Sequence, residues 1–173
     1  MFKIDFEKAY DHISWGVLDS IQEQMNFHVK WRRWIMAILS SARSSVLMNV
    51  SPTFEFQFQR GMRQGDPISP FLFIIGMEAF SFMMSTSTNV GLFNGFQMPN
   101  NGPLVSHLLF ANDALLIGEW SKANIENMVR LLRCFHLVSG LQINYGKSNL
   151  HGVGVNVEEV TTFTFLWRLV DWG

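Results

Sequence analysis

Alternating apolar and polar positions predict the first strands of this chain. Residues 2–6 alternate in this way, as expected for a short strand with one buried face. Residues 45–50 and 54–59 also favour strand, and residues 49–53 between them have the composition of a hairpin turn. Because phenylalanine alternates with polar residues over 54–59, we expect that strand to be half-buried.

A second hairpin is predicted further along the chain. Residues 107–111 and 114–118 are two strand-like runs that only Asn112 and Asp113 separate. A two-residue connection is the commonest link between antiparallel strands, and both residue types tolerate the left-handed backbone of such a turn. Residues 141–144 begin another short strand.

Apolar residues at helical spacing predict four helices, over residues 14–25, 31–42, 69–85 and 121–138. Ser14 and Ser69 are the predicted N-caps of two of these helices, and Pro70 suits the first turn of the third. The third helix is apolar on nearly every side, which predicts that it is buried. Residues 89–103 are rich in Gly, Asn and Pro and predict a loop, whereas residues 153–173 have no pattern that assigns them.

The order of these elements is strand, helices, hairpin, helix, hairpin, helix, strand. Such an order is typical of an α+β fold in which helices pack on an antiparallel sheet. Hydrophobic residues make up 48% of the 173 residues and charged residues only 16%, so we expect a folded chain rather than a disordered one. A chain this apolar is also expected to have surface that other segments cover.

The charge of the chain argues against a strongly basic surface. Its net charge is −1, whereas proteins that bind nucleic acid by themselves are usually basic, because they neutralise phosphates. No cluster of basic and aromatic residues stands out in the sequence. Any nucleic acid is therefore expected to meet its main basic contacts on other segments.

Cysteine, histidine and apolar runs exclude several other kinds of site. Cys134 is the single cysteine, so no internal disulfide is expected, and its thiol should lie in the core or on a helix surface. The five histidines include no pair at i,i+4 spacing, and we expect all five to be structural or exposed. The longest apolar stretch, residues 68–77, is too short to span a bilayer. The N-terminus has no signal-peptide layout, so no membrane association is expected.

Two carboxylates stand at positions suited to metal chemistry. Asp5 lies at the end of the first strand and Asp113 at the tip of the second hairpin. If their strands are neighbours in one sheet, these side chains can hold two Mg²⁺ ions about 3.5–4 Å apart, as two-metal nucleotidyl transfer requires. The residues alone leave an alternative, a surface carboxylate at Asp5 and ordinary turn residues at Asn112 and Asp113.

A third segment, residues 60–70, contains a turn that runs from Gln64 to Pro67. Gly65 has no side chain, so this turn can bring its backbone close to a nucleotide. Taken alone, the same residues predict only a turn.

Five segments together resemble the reverse transcriptases of plant LINE-type (non-LTR) retrotransposons. The segments are residues 2–11 with Trp15 after them, residues 40–53, residues 60–73, residues 110–113 and residues 139–148. They follow the family's order, and the similarity extends from residue 2 to residue 154. The resemblance implies a polymerase palm, whose antiparallel sheet bears the catalytic carboxylates.

The resemblance also implies a metal site and a reaction. Asp5 and Asp113 would be metal ligands, with the Phe6 carbonyl as a further one, in a two-ion site for Mg²⁺ or Mn²⁺. Lys147 would donate a proton to the leaving pyrophosphate, and the alternative is a solvated lysine. The reaction would be attack of a primer 3′-hydroxyl on the α-phosphate of a dNTP, templated by RNA.

Four further residues are implied in nucleotide binding. Tyr10 lies at the position of the family's steric gate, which rejects ribonucleotides by crowding the 2′-hydroxyl. Arg63, Gln64 and Gly65 would contact the incoming nucleotide and the template. The implied partners are therefore an RNA template, a DNA primer and a dNTP.

The catalytic box departs from the family pattern at one position. Where the family has two aspartates, this chain has Asn112 followed by Asp113, and the first aspartate is the family's principal metal ligand. An amide oxygen can contact Mg²⁺ but brings no negative charge. A loss of about 4 kcal/mol of transition-state stabilisation lowers a rate roughly a thousandfold, so we expect two-metal catalysis to be largely lost.

We expect residues 1–154 to form a palm fragment and residues 155–173 a divergent tail, with the fingers and thumb segments missing. These features favour a truncated, inactive retrotransposon remnant. The alternatives are an active polymerase core that other chains complete, and a non-catalytic nucleic-acid-binding or scaffold module that reuses the palm fold. By analogy with retrotransposons the protein would be intracellular and nuclear, although the chain has no basic targeting run.

Overall fold

A computed structural model of the chain describes residues 1–144 and 146–169 and confirms the α+β class. The helices are α1 (Ala9–His12), α2 (Trp15–Gln24), α3 (Val29–Ser41), α4 (Ser69–Asn89), α5 (Lys122–Ser139) and α6 (Val157–Leu169). The strands are β1 (Phe2–Glu7), β2 (Arg43–Ser44), β3 (Leu47–Met48), β4 (Ser51–Pro52), β5 (Phe56–Gln57), β6 (Phe96–Gln97), β7 (Leu104–Val105), β8 (His107–Phe110), β9 (Asp113–Leu116), β10 (Gln142–Ile143) and β11 (Asn149–Leu150).

Two compact units make up the chain. The first, called the sheet unit, consists of Met1–Glu7 and Met77–Gly173. The second, called the ladder unit, consists of Lys8–Gly76. Helix α4 begins in the ladder unit and ends in the sheet unit.

The sheet unit is built around β1. Its strands are antiparallel in the order β10-β1-β9-β8, and β11 also pairs with β1. Phe2, Ile4 and Phe6 are buried while the residues between them are not, which confirms the predicted first strand. The opposite face of this sheet, called the open face, contains Lys3, Asp5, Glu7, Leu108, Phe110, Asp113 and Leu115.

Aromatic packing closes the buried face of the sheet. The ring of Phe80 on α4 lies 4.9 Å from that of Phe135 on α5. The ring of Phe6 lies 6.1 Å from each of them, in edge-to-face geometry. Such pairs contribute about 0.5–1.5 kcal/mol beyond the burial of their area, so one cluster links β1 to both helices.

Helix α5 agrees with the helix predicted over residues 121–138 to within one residue at each end. The Ser121 side chain accepts a hydrogen bond from the Asn124 backbone N–H at 3.2 Å, as an N-cap does. Gly140 ends the helix with a φ of +78°, a left-handed conformation that suits glycine. Cys134 is exposed on this helix.

Two segments form secondary structure that was not predicted for them. The prediction of loop throughout residues 89–103 is wrong, because β6 lies within it and pairs with β7. The strand that pairs with β6 begins only after Pro103, so the composition of residues 89–103 did not reveal the pairing. In the unassigned tail, α6 forms, with Glu158 and Glu159 in its first turn, where acidic residues favour the helix dipole.

An ion-pair network joins α2 to α3 in the ladder unit. Arg32 donates to both carboxylate oxygens of Asp19, at 2.9 and 2.6 Å, and also pairs with Glu23 at 2.7 Å. Hydrogen bonds from Arg32 lower the pKa of Asp19. Ser14 precedes α2 as predicted, but its side chain makes no capping hydrogen bond.

The predicted first hairpin is a nested ladder of short strands. β2 pairs with β5 and β3 pairs with β4, with Asn49 and Val50 forming the turn. The prediction of a half-buried strand over 54–59 is wrong, because Phe54 is 97% exposed and Phe56 48% exposed. Each pair is a two-stranded sheet. The alternation therefore identifies an apolar face of residues 54–59, but it does not show whether another element packs on that face.

Helix α4 is buried on one side only, which corrects the prediction of burial all round. Leu72, Phe80 and Met84 are fully buried, whereas three other apolar side chains are exposed, namely Phe71, Ile74 and Phe82. The predicted capping by Ser69 is also wrong, because its hydroxyl donates to the Arg63 carbonyl at 2.9 Å.

The length of α4 also changes the assessment of its apolar stretch. Residues 68–77 are too short for a bilayer, but the helix continues to Asn89 and is long and apolar enough to cross a membrane by length and composition alone. The core helix of a soluble protein satisfies the same test. The full burial of Phe80 and Met84 agrees with that reading.

Candidate active site

Asp5 and Asp113 are direct neighbours in the sheet. β1 and β9 are antiparallel, and their register places Asp5 opposite Asp113. Side chains opposite each other in such a pair share a face, with Cβ atoms about 4.5–5.5 Å apart. Because Ile4 and Phe6 face the core, both carboxylates lie on the open face, half-buried. The adjacency that the metal-site prediction required is therefore present.

Residues of the segment after α5 hold the backbone of Asp5. The Asp5 N–H donates to the Ser148 hydroxyl at 3.1 Å, and the Asp5 carbonyl accepts from the Asn144 N–H at 2.8 Å. Ser148 is 2% exposed, so its hydroxyl is shielded from competing water. Nothing in the sequence marks Ser148, since one serine in a turn carries no distinctive signal.

Asn112 lies at the tip of the β8–β9 hairpin. Phe110 pairs with Asp113, so the two-residue turn is formed by Ala111 and Asn112, one residue earlier than predicted. Ala111 has a φ of +51°, which is uncommon for a residue with a Cβ. Asp113 is therefore the first residue of β9 rather than a turn residue, and the pairing with Asp5 is what places it in the strand.

Lys3 is a residue of this face that the sequence analysis missed. Its ammonium nitrogen lies 3.1 Å from Asp113 Oδ2. Lys3 is two residues before Asp5, so the strand period already placed both on one face. The pairing with Asp113 required the register between β1 and β9, which the sequence pattern did not provide.

The residues predicted to bind nucleotide belong to the ladder unit. Within that unit, residues 10–11 contact residues 61–62. The Tyr10 carbonyl accepts from the Met62 N–H at 2.5 Å, and the Tyr10 ring lies 5.2 Å from that of Phe73. A Cβ on Gly61 would lie 2.4 Å from the Asp11 carbonyl oxygen. Residue 61 must therefore be glycine for this approach, a requirement that the sequence analysis did not identify.

The predicted turn from Gln64 to Pro67 is present. Gln64 Nε2 lies 3.4 Å from Asp11 Oδ1 as a weak hydrogen bond. Gly65 has a φ of +84°, and a Cβ there would meet no atom within 4 Å, so its backbone faces open space. The Arg63 side chain is exposed. Gln64 and Tyr10 are thus linked through residues 10–11, within the ladder unit.

A half-buried histidine lies on the opposite face of the sheet from the two carboxylates. His107 Nε2 is 2.8 Å from the Ser81 hydroxyl, and Nδ1 is 2.9 Å from the Ser106 hydroxyl. Burial lowers the pKa of His107, and Glu78 partly opposes that shift. Because the register places His107 opposite Leu116 on the buried face, this group is part of the core packing rather than of the carboxylate site.

The reverse transcriptase (RNA-dependent DNA polymerase) family matches residues 1–166 of this chain. The chain belongs to this family. Its palm segment is of the kind found in non-LTR elements, as predicted, because matching relatives include the R2 elements of insects.

Two relatives show how this reverse transcriptase segment relates to longer proteins. An uncharacterised mitochondrial protein of Arabidopsis thaliana is 32% identical over 108 residues, covering 62% of this chain and 88% of the relative. The retrovirus-related Pol polyprotein of the type-1 retrotransposable element R2 from Popillia japonica is 24% identical over 146 residues. That match covers 84% of this chain but only 20% of the polyprotein. The plant relative agrees with the predicted plant affinity.

The fold agrees with a solved reverse transcriptase. The structure of apo telomerase from Candida tropicalis, truncated from its C-terminal domain, matches with a TM-score of 0.64 over 90% of this chain and 31% of that chain. The identity is 16%, so this likeness bears on the fold alone. It confirms the predicted palm-like arrangement of helices on an antiparallel sheet.

Reverse transcriptases as a family use divalent metal ions, and the open face of this palm suits one such ion. Asp5 and Asp113 offer the carboxylate oxygens that Mg²⁺ or Mn²⁺ prefers, and substrate phosphates and water usually complete the shell. Among the described residues, no three His, Cys, Asp or Glu side chains gather into a metal site. Asn112 adds a neutral amide only, so the donor set does not suit two ions.

Two other predicted site residues of the palm remain predictions. Phe6 follows Asp5 in β1 with its ring 2% exposed, so only its backbone is available for the predicted metal contact. The Lys147 side chain is exposed, and its N–H donates to the Asn144 carbonyl at 3.2 Å. That placement is compatible with proton donation to a substrate and with the solvated alternative.

Proposed function

We propose that this chain is a reverse transcriptase palm whose ancestral reaction, templated addition of a dNTP to a primer 3′-hydroxyl, is blocked at Asn112. The observation behind the proposal is the pairing of Asp5 with Asp113 on the open face, next to an asparagine at the hairpin tip. Two of the three carboxylates that a two-metal site would use are thus present, and the charge of the third is absent.

Divalent ions bound at such a face would polarise the α-phosphate and activate the attacking hydroxyl. Within the chain, Asp5 and Asp113 hold the positive charge, and Ser148 and Asn144 fix the backbone of Asp5. Asn112 leaves one unit of negative charge missing where the transition state requires it. Electrostatic groups of this kind contribute several kcal/mol to catalysis, which places the loss near a thousandfold.

The ladder unit supplies the proposed nucleotide contacts. Tyr10 crowds the 2′-hydroxyl of a ribonucleotide, and the exposed backbone at Gly65 lies against the nucleotide. Arg63 contributes positive charge to phosphate, and Gln64 contacts the template or the incoming base. Lys147 donates a proton to the leaving pyrophosphate. The support for these roles is the motif match together with the open space at Gly65.

Primer extension on poly(rA)–oligo(dT) with Mg²⁺ or Mn²⁺ tests the proposal. The palm is grafted between the fingers and thumb of an active reverse transcriptase, with Asn112 or with Asn112→Asp. Extension by the Asn112→Asp graft alone supports the proposal. Comparable extension by the unmodified graft contradicts it and identifies an active polymerase core that other segments complete. Failure of both grafts, with the recipient's own palm active, shows that Asn112 is not the decisive change.

A non-catalytic nucleic-acid-binding role is the second candidate, and α3 favours it. Lys30, Arg33 and Trp34 are three and four residues apart, lie on one side of the helix and are exposed, with Trp34 64% exposed. Cationic side chains bind phosphates and an exposed indole stacks on a base. This cluster corrects the expectation that the chain has no basic aromatic face, because helical spacing brings these residues together.

Anisotropy of a labelled single-stranded RNA tests this second role. Replacing Lys30 and Arg33 together by methionine, or Trp34 by alanine, should weaken binding about tenfold, since one stacked base contributes roughly 1–3 kcal/mol. The control is the paired change of Lys122 and Arg130 on α5, which removes the same charge elsewhere. If the two paired changes lower the RNA affinity equally, the binding is non-specific electrostatic attraction rather than recognition by this face of α3.

A further inference from the structure

One basic side chain stands among the acids of the open face. Lys3 Nζ lies 3.1 Å from Asp113 Oδ2, and the two side chains are 49% and 33% exposed. In the five strands of this sheet the other charged residues of that face are the acids Asp5, Glu7 and Asp113. His107 is the remaining titratable residue of these strands, and it faces the core. Lys3 is thus the basic side chain of a strand face whose other charged side chains are acids that attract cations.

The contact involves the carboxylate that a metal ion would use. A Mg²⁺ ligand oxygen lies about 2.0–2.1 Å from the ion, so an ion on Asp113 would lie within a few ångströms of the Lys3 ammonium. Two positive charges at that separation repel each other, and the ammonium must move before Asp113 Oδ2 can ligate. Asn112 adds no negative charge to offset this repulsion.

We propose that Lys3 is the counter-ion of Asp113 and competes with a divalent cation for that carboxylate. The proposal rests on the proposed function in one respect, namely that the open face binds such a cation. Lys3 thereby lowers the affinity of the site for metal, and it keeps Asp113 paired when metal is absent. A half-exposed ion pair contributes little free energy, so Lys3 adjusts the affinity rather than blocking the site.

Mn²⁺ binding to the full chain, followed by the electron paramagnetic resonance signal of free Mn²⁺, tests the competition without any polymerase assay. Lys3→Met should bind Mn²⁺ about two- to fivefold more tightly than the wild type, the range expected for removing a half-exposed ion pair. Lys3→Arg keeps the charge and should bind as the wild type does. Circular dichroism establishes that each variant is folded.

The matched control is Lys122→Met. Lys122 is a lysine of the same unit whose side chain is 73% exposed and 3.9 Å from Glu126, so the change removes one charge and one surface pair away from the open face. Its Mn²⁺ affinity should equal that of the wild type. Equal tightening in Lys3→Met and Lys122→Met would overturn the proposal, as would an unchanged affinity in Lys3→Met.

A double-mutant cycle separates direct contact from general charge. In an Asp113→Asn background the Lys3→Met change should no longer tighten Mn²⁺ binding, because the competing contact is already gone. Tightening of the same size in both backgrounds overturns the proposal. The Asp5→Asn variant distinguishes failure of the proposed metal site from failure of the proposed competition by Lys3. If wild type and Asp5→Asn bind Mn²⁺ equally, the metal site of the proposed function fails, and absence of saturable binding in both wild type and Lys3→Met removes the competition as well.

Discussion

Hairpin β8–β9 and hairpin β3–β4 have similar local designs and different surroundings. Both have short strands joined by two residues, and an asparagine lies in each turn, Asn112 in the first and Asn49 in the second. In the first hairpin β9 also pairs with β1, and Leu116 is 1% exposed. In the second hairpin the strands pair only with each other, and Leu47 is 71% exposed.

The difference shows that pairing with a third strand gives the β8–β9 hairpin its buried face and its candidate site. Pairing with β1 makes β9 part of a sheet with one buried face, and the same register places Asp5 opposite Asp113. An asparagine at the tip of β3–β4 has no such carboxylate partner across a strand. Five predictions, beginning with the largest expected effect, test this contrast.

The asparagines at the two tips should respond differently to the same substitution. In the grafted enzyme, Asn112→Asp should raise the primer-extension rate roughly a thousandfold, which corresponds to about 4 kcal/mol. Asn49→Asp makes the identical chemical change at the other tip and should leave the rate of the unmodified graft as it is. A comparable gain from Asn49→Asp would show that negative charge in general, rather than the metal site, is limiting.

The two leucines should differ in their contribution to stability. Leu116→Ala removes a fully buried side chain and should lower the free energy of unfolding by about 2–5 kcal/mol. Leu47→Ala should change it by no more than about 0.5 kcal/mol, as exposed positions usually do. Urea denaturation measures both, and similar losses would mean that the β3–β4 ladder is covered in solution.

Removing the hydroxyl of Ser148 should have a smaller effect. Ser148→Ala leaves the Asp5 N–H without its acceptor, so the free energy of unfolding should fall by roughly 1–2 kcal/mol. Ser45→Ala, at an exposed position beside the ladder, is the control and should be neutral. An unchanged stability in Ser148→Ala would show that water or another group satisfies the Asp5 N–H.

Backbone strain at the tips should produce a modest gain. Val50 has a φ of +67° although it is β-branched, and Ala111 has a φ of +51°. Glycine adopts this conformation without the steric cost of a Cβ but loses more entropy on folding. Val50→Gly should therefore stabilise the chain by about 0.5–1 kcal/mol, and Ala111→Gly by less. A loss in the urea midpoint for Val50→Gly would contradict this account.

The pH dependence of stability should distinguish the half-buried side of β8 from the exposed ladder. Burial lowers the pKa of His107 below its ordinary value of 6.5, so the unfolded chain binds the proton more readily. Stability from this group is complete above about pH 6.5 and is lost as the pH falls through 6.5 towards the folded-state pKa. His107→Gln should flatten urea midpoints measured from pH 7.5 to pH 5, and an equally steep dependence would exclude His107 as its source.

Local patterns were sufficient for much of this fold. The alternation over residues 2–6 predicted β1, and the pattern over residues 121–138 predicted α5, because strand and helix periods depend on neighbours in the chain. The residues of the family's motifs were also recognisable, including the departure at Asn112. Where a prediction rested on burial, as for Phe54 and for α4, it was wrong in part, since alternation states which face is apolar but not what covers it.

The sequence by itself determined the first strand, the second hairpin and four helices, and it showed that the family pattern is broken at residue 112. Only the tertiary structure decided that Asp5 lies opposite Asp113, that the turn falls on Ala111 and Asn112, and that Lys3 pairs with Asp113. The physical reason is register. A shift of one residue between β1 and β9 would move every side chain of one strand to the other face, and contacts between residues more than a hundred positions apart select that register.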